Sequence, residues 1–85
     1  MKKILIVEDD VTFLRILSHV LGNQFEIYTA CSVNEALKLL ENTSVDLICS
    51  DYNVPGGTGL ELLEQLHRSG RKIPFITTHK GGERA

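Results

Sequence analysis

Four short apolar segments place the tightest limit on the fold of this chain. The run KILIV at residues 3–7 contains β-branched residues and no polar alternation, which is typical of a strand buried on both faces of a parallel sheet. The segments FEIYTA (25–30), VDLICS (45–50) and KIPFITT (72–78) are further predicted strands. Pro74 is tolerated near the start of the last strand, where the hydrogen-bond ladder has barely begun. We therefore expect a parallel sheet of four strands.

Predicted amphipathic helices separate these strands. Between residues 11 and 21, apolar side chains recur every three or four positions. SVNE (32–35) and TGLE (58–61) are capping boxes that predict two further helices, the first of them over about 33–41. Strands that alternate with helices of this size form right-handed crossovers and a sheet covered on both faces. The class is therefore α/β, and we expect residues 1–85 to form a single domain.

The composition argues against several classes of function. The net charge is −2 and the nine basic residues are spread along the chain, so no nucleic-acid-binding surface is expected. The N-terminal apolar run is too short for a signal peptide or a membrane span. Cys31 and Cys49 lack Cys-x-x-Cys spacing and have apolar neighbours, which predicts two reduced, partly buried thiols and a cytoplasmic location.

Acidic residues follow two of the predicted strands. Glu8, Asp9 and Asp10 come after the first strand, and Asp51 comes after the third. Parallel strands end at one edge of the sheet, so these carboxylates meet if the two strands are neighbours. Their mutual repulsion favours a cation, and Mg²⁺ suits a site of few carboxylates, several waters and phosphate oxygens. The alternatives are that Asp10 caps a helix and that Asp51 only starts a turn before Pro55.

Together these segments resemble the receiver domain of bacterial two-component response regulators. The residues that carry the resemblance are ILIVEDD (4–10), LICSDYNVPGGTGLELLEQL (47–66) and a hydroxyl residue at the end of the fourth strand. The resemblance covers essentially the whole chain and implies a flavodoxin-like open parallel sheet with strand order 2-1-3-4. It implies a phosphoacceptor that promotes its own phosphorylation, not an enzyme with independent turnover.

The resemblance also implies roles for individual residues. Asp51 would accept a phosphoryl group from the phosphohistidine of a histidine kinase or phosphotransfer protein. Asp9 would bind Mg²⁺ directly together with Asp51, whereas Glu8 would act mainly through water. The backbone carbonyl of Asn53 would be the third protein ligand, and Asp10 would lie at the helix cap.

The same resemblance extends to the loop after Asp51 and to the fourth strand. Pro55 and Gly56 would shape the loop beside the phosphoacceptor, and Gly59 would let the third helix begin close to the loop backbone. The switch hydroxyl would be Thr78 or Thr77, and we favour Thr78.

Compared with a complete receiver, the sequence lacks a fifth strand, two helices and a lysine after the fifth strand. Lys80 follows the fourth strand directly and does not correspond to that lysine. The fourth strand would then be an open edge, which favours a homo-oligomer. The adjoining uncovered sheet face is expected to include some of Ile4, Ile6, Leu47, Cys49, Phe75 and Ile76.

Three alternatives stay open at the level of the sequence. The 85 residues are a natural short protein or a fragment of a longer regulator. A truncated receiver could also act as a protein–protein interaction module without phosphotransfer. A flavodoxin-like binder of a phosphorylated small molecule is disfavoured, because three acids at the end of the first strand would repel a phosphate.

Overall fold

The computed structural model describes residues 1–54 and 56–78. The first part contains β1 (Lys2–Val7), α1 (Val11–Leu21), β2 (Phe25–Ala30), α2 (Val33–Asn42) and β3 (Leu47–Asp51). After these come β4 (Asn53–Val54), β5 (Gly57–Thr58), α3 (Gly59–Arg68) and β6 (Phe75–Thr78). The predictions about Pro55 and Lys80 fall on residues outside the described ranges.

Four of the strands form one parallel sheet in the order β2-β1-β3-β6. β6 is the fourth predicted strand, so the α/β class and the flavodoxin-like order of the first four strands are confirmed. Ile4 of β1 pairs with Ile27 on one side and with Leu47 on the other. The central strands β1 and β3 therefore end side by side, which is the arrangement that brings the two groups of acids together.

The main core lies between one face of the sheet and helices α2 and α3. Leu5, Val7 and Ile48 project from this face of the central strands and are fully buried. They pack against the apolar sides of the two helices, which contribute Val33, Ala36, Leu40, Leu62 and Leu66. Burying a side chain of this size stabilises a fold by about 1.5–3 kcal/mol, so this layer fixes the position of β3 and of the start of α3.

The capping residues explain where the helices begin. The Ser32 hydroxyl accepts a hydrogen bond from the Glu35 backbone N–H at 3.1 Å at the start of α2. At the start of α3, Thr58 and Glu61 form a complete capping box, with reciprocal bonds of 3.0 and 3.1 Å. Both helices therefore begin at the residues that the sequence predicts.

Three strands have boundaries that differ from the predictions, and β1 differs only in beginning one residue earlier, at Lys2. β3 begins at Leu47 and includes Asp51. Asp46 precedes the regular ladder, and it bonds to the backbone of Lys3 through its own backbone N–H and its side chain. β6 begins at Phe75, after Pro74, which has no N–H to donate. The carbonyl of Pro74 still accepts a hydrogen bond from the Ile48 N–H at 2.9 Å.

The opposite face of the sheet is covered unevenly. Ile4 and Ile6 are buried, whereas Ile76 of β6 is 50% exposed. Leu47 and Cys49 are half-buried. The alternating subset on this face does not include Phe75, which packs against the core on the α2–α3 side because its side chain alternates with that of Ile76.

Both cysteines are free thiols, but their exposure differs. Cys49 is half-buried as predicted, whereas Cys31 is exposed because it lies beyond the end of β2, outside the sheet. None of the helices in the described residues is both long and apolar enough to span a membrane.

Candidate functional site

Three carboxylates lie together at the edge of the sheet where β1 and β3 end. The register between these strands ends with Val7 opposite Ser50, so Glu8 and Asp51 occupy the next position on neighbouring strands. One carboxylate oxygen from each of Glu8, Asp9 and Asp51 lies within 4.8 Å of the other two. The structure thus brings together three of the four predicted metal ligands.

The turn after β1 gives its three acids different roles. Glu8 is 1% exposed, its backbone N–H donates to Ala30 and its Oε2 accepts from the Asp10 N–H at 2.9 Å. Asp10 is the N-cap of α1 and accepts from two backbone N–H groups of the first turn at 3.0 and 3.2 Å. Asp9 is exposed at the rim. The helix-cap interpretation of Asp10 is therefore correct, and Glu8 and Asp9 face the site.

The geometry of the acidic group suits a small divalent cation. Three oxygens that bind one Mg²⁺ at about 2.1 Å lie at most about 4.2 Å apart. A spread within 4.8 Å needs only small side-chain adjustments to reach this value. Two of the carboxylates are buried, at 1% exposure for Glu8 and 7% for Asp51, so their repulsion is screened by little water. A bound cation would relieve it.

The charge at this edge also acts on a neighbouring thiol. Burial and, to a smaller extent, the negative charge of Glu8 raise the pKa of the Cys49 thiol. Cys49 therefore stays protonated at neutral pH. Its side chain is half-buried in β3, and it does not act as a thiolate nucleophile.

Two hydrogen bonds hold the peptide group between Asp51 and Tyr52. The Tyr52 N–H donates to the Thr78 carbonyl at 3.1 Å, so β3 remains paired with β6 past the aspartate. The Ser50 hydroxyl donates to the Asp51 carbonyl at 2.9 Å. Asp51 is thus presented from the end of a fixed strand and not from a loop, in contrast to the interpretation as a simple turn aspartate.

After Tyr52 the chain forms a short antiparallel hairpin that the sequence did not predict. Asn53 pairs with Thr58, and Val54 pairs with Gly57. Gly56 has a φ of 91°, in the left-handed region, where a side chain would be strained. The predicted loop role of Gly56 has this conformational basis, and Asn53 lies two residues beyond Asp51 in an exposed position.

Gly59 lies where α3 comes against the end of β3. Its N–H donates to the Tyr52 carbonyl at 2.7 Å. A Cβ atom at this position would lie 3.0 Å from the Asp51 carbonyl oxygen and 3.2 Å from the Ser50 hydroxyl oxygen. Both distances are shorter than ordinary contacts, so the close approach of helix and strand depends on a residue without a side chain.

The two candidate switch hydroxyls differ in orientation. Thr78 pairs with Asp51 across the sheet, and Thr77 pairs with Ser50. Paired residues of neighbouring parallel strands project from the same face, so Thr78 shares the face of Asp51. Thr77 projects toward Gly59 on the opposite face. The geometry favours Thr78 as the hydroxyl nearer the acidic group.

Sequence reasoning missed two residues of this region. Ser50 lies within the predicted strand 45–50 with no assigned role, yet it is fully buried and bonded to the Asp51 backbone. A polar residue at a core-facing position next to a candidate functional residue was the available signal. The second residue is Gly57, which has a φ of 151°. Its position directly after Gly56 in the sequence was the available signal.

Comparisons with known proteins agree with this geometry. The model of the response regulator receiver domain family matches residues 4–84. The two-component response regulator ARR11 of Arabidopsis thaliana is 37% identical over 84 residues, which cover 95% of this chain and 16% of that protein. The alkaline phosphatase synthesis transcriptional regulatory protein PhoP of Bacillus subtilis is 33% identical over 76 residues, or 88% of this chain and 32% of that protein.

A solved structure of the MaeR response regulator bound to beryllium trifluoride is similar in fold. It has a TM-score of 0.86 and 31% identity, and the match covers 98% of this chain and 70% of that chain. The chain therefore spans less than two thirds of the two curated relatives but most of the solved receiver structure. On the family match and these likenesses, the chain belongs to the response regulator receiver domain family.

Proposed function

We propose that Asp51 accepts a phosphoryl group from the phosphohistidine of a histidine kinase or phosphotransfer protein, with Mg²⁺ as cofactor. The observation that carries this proposal is the group of three carboxylates within 4.8 Å at the end of β1 and β3. Family membership supports it independently. Such a relay step would take place in the cytoplasm, as the sequence predicts.

Asp51 is the carboxylate best suited to be the nucleophile. It is buried but retains an exposed fraction of 7%, and the strand holds its backbone in place. Glu8 is 1% exposed and is engaged by the Asp10 N–H. Asp9 is exposed on the turn after β1 and lacks the support of a paired strand.

The residues present fit Mg²⁺, because they offer only hard oxygen donors at one partly open site. Asp9 and Asp51 would bind it directly, Glu8 through water, and Asn53 through its backbone carbonyl. The ion would neutralise the charge that develops on the phosphoryl oxygens during transfer.

In the proposed reaction a carboxylate oxygen of Asp51 forms a bond to phosphorus as the bond from phosphorus to the imidazole nitrogen breaks. The imidazole leaves with the electron pair of that bond and takes up a proton from solvent. The chain contributes a positioned nucleophile and a fixed set of charges. We propose no independent turnover, and Thr78 would be the hydroxyl that contacts the phosphoryl group.

Incubation with acetyl phosphate and Mg²⁺ tests the proposal. We expect one hydroxylamine-sensitive phosphoryl group by intact-mass spectrometry, absent in D51N and in EDTA. D46N is the matched control, because it makes the same chemical change at an exposed aspartate next to the other end of β3. Labelling of D51N, or no labelling of the wild type under conditions that label another receiver, would contradict the proposal.

We also propose that copies of this chain associate through β6. Among the described residues, β6 pairs with β3 on one side only, and Ile76 beside that edge is 50% exposed. Sedimentation should show a dimer or larger species that I76K shifts to monomer. L60K is the matched control, because Leu60 is also 50% exposed but lies at the start of α3.

The interaction-module alternative makes a different prediction from the same two experiments. It requires that no phosphoryl group is incorporated, and it allows β6 to pair with a kinase, with another receiver or with a second copy of this chain. Labelling of Asp51 would exclude a module without phosphotransfer, and a compact monomer would exclude the association of copies through β6. A monomer that labels would leave the phosphoacceptor proposal intact.

A further inference from the structure

Ser50 occupies a position that none of the predicted roles covers. It directly precedes Asp51 in β3, and its side chain is fully buried at 0% exposure. Its hydroxyl donates a hydrogen bond of 2.9 Å to the Asp51 carbonyl. A hydroxyl buried this completely needs a partner, and here the partner is the backbone of the proposed nucleophile.

The bond lies where the regular pairing of β3 ends. The register with β1 stops at Val7 and Ser50, one residue before Asp51. On the other side, pairing with β6 continues to the bond between the Tyr52 N–H and the Thr78 carbonyl. The peptide group between Asp51 and Tyr52 is therefore held by β6 on one side and by the Ser50 hydroxyl on the other.

The surroundings leave the Ser50 hydroxyl little freedom. The start of α3 covers it, and a Cβ on Gly59 would lie 3.2 Å from its oxygen. The Gly59 N–H in turn donates to the Tyr52 carbonyl at 2.7 Å. The hydroxyl thus fills a slot between β3, β6 and α3, and a rotation of the Asp51 carbonyl would break its bond.

We propose that Ser50 is a positioning residue for phosphotransfer, an inference that rests on the proposed function of Asp51. By fixing the carbonyl of Asp51, it fixes the direction in which the carboxylate leaves the strand. It also fixes the path of the chain toward Asn53, whose carbonyl is a proposed ligand. Ser50 does not touch the phosphoryl donor, so its effect is on the rate of attack and not on donor binding.

The test compares S50A with wild type and with S69A. Ser69 makes the same kind of bond, from its hydroxyl to the Leu66 carbonyl at 2.9 Å, at the far end of α3. Labelling rates are measured against acetyl phosphate concentration at saturating Mg²⁺. We expect the maximal rate of S50A to fall about tenfold while the half-saturating donor concentration changes less than about twofold. S69A should match wild type.

A merely structural role would give a different result. It would lower the fraction of protein that labels, while the folded fraction reacted at the wild-type rate. Binding of beryllofluoride with Mg²⁺, followed by ¹⁹F NMR, gives a second readout, and we expect about tenfold weaker binding in S50A.

Each remaining outcome decides between the proposals. A wild-type rate and wild-type beryllofluoride affinity in folded S50A would overturn the positioning role alone, whereas no labelling of wild type would overturn both proposals. If S50A fails to fold, S50C replaces the hydroxyl with a somewhat larger thiol that is a weaker donor. A slowed maximal rate in S50C supports the role, and a wild-type rate overturns it.

Discussion

The substitution G59A tests how closely α3 is seated on the end of β3. The added Cβ would lie 3.0 Å from the Asp51 carbonyl oxygen, 3.2 Å from the Ser50 hydroxyl oxygen and 3.5 Å from the Thr77 methyl carbon. The first two contacts involve groups already joined by a hydrogen bond, so neither can move without breaking it. We therefore expect the helix start to shift away from the strand.

The magnitude follows from two opposing effects. Overpacking of a tightly fitted site costs about 1–3 kcal/mol. Alanine has a higher helix propensity than glycine, which offsets at most about 1 kcal/mol of this cost at the end of a helix. The expected net loss in the free energy of unfolding is about 1–2 kcal/mol. At a urea m-value of about 1 kcal/mol/M, the midpoint falls by roughly 1–2 M.

Urea unfolding followed by circular dichroism measures this loss, and G70A is the comparison. Gly70 has a φ of 83° but nothing within 4 Å of an added Cβ, so its substitution introduces backbone strain without a contact. G59A should also slow labelling of Asp51, whereas G70A should not. A G59A protein as stable as wild type, with unchanged labelling, would refute the reasoning about the close approach.

Three further predictions concern the acids and the thiols. D10A should lower the free energy of unfolding by about 1 kcal/mol in thermal or urea melts, because the α1 cap is lost; unchanged stability would show that the cap contributes nothing. E8Q should raise the melting temperature in EDTA and weaken Mg²⁺ binding in calorimetry, because it removes one of three clustered charges. A variant that shows only the higher melting temperature, or only the weaker Mg²⁺ binding, would contradict this prediction. Cys31 should react with iodoacetamide faster than Cys49, because Cys31 is exposed. The reaction rate of Cys49 should keep rising to higher pH, because burial and Glu8 raise the pKa of its thiol. Equal rates for the two thiols in peptide mapping would contradict this prediction.

The sheet and helices were predictable because each carries a local signal. An unbroken apolar run such as residues 3–7 has few alternatives to a buried parallel strand. The capping residues Ser32 and Thr58 marked helix starts to the residue. The acidic site was predictable in the same way, because acids directly after strands must meet when those strands are neighbours.

The features that were missed leave no periodic pattern in the sequence. The strands of the β4–β5 hairpin have only two residues each, which is too short for a periodic pattern. The sequence left open whether Phe75 or Ile76 faces α2 and α3, because the face of each side chain depends on the register of β6. Ser50 gained its role only when α3 and β6 closed over it, which no local pattern reports.

The most direct test of the central claim is a titration with Mg²⁺ and then beryllofluoride, followed by backbone amide NMR. We expect saturable Mg²⁺-dependent shifts at the ends of β1 and β3, centred on Glu8, Asp9 and Asp51. Beryllofluoride should then produce a second set of shifts that includes Thr78 and is absent in D51N. Beryllofluoride shifts that persist in D51N, or no shifts at these residues in wild type, would contradict the assignment of Asp51 as the phosphoacceptor of a metal-binding acidic site.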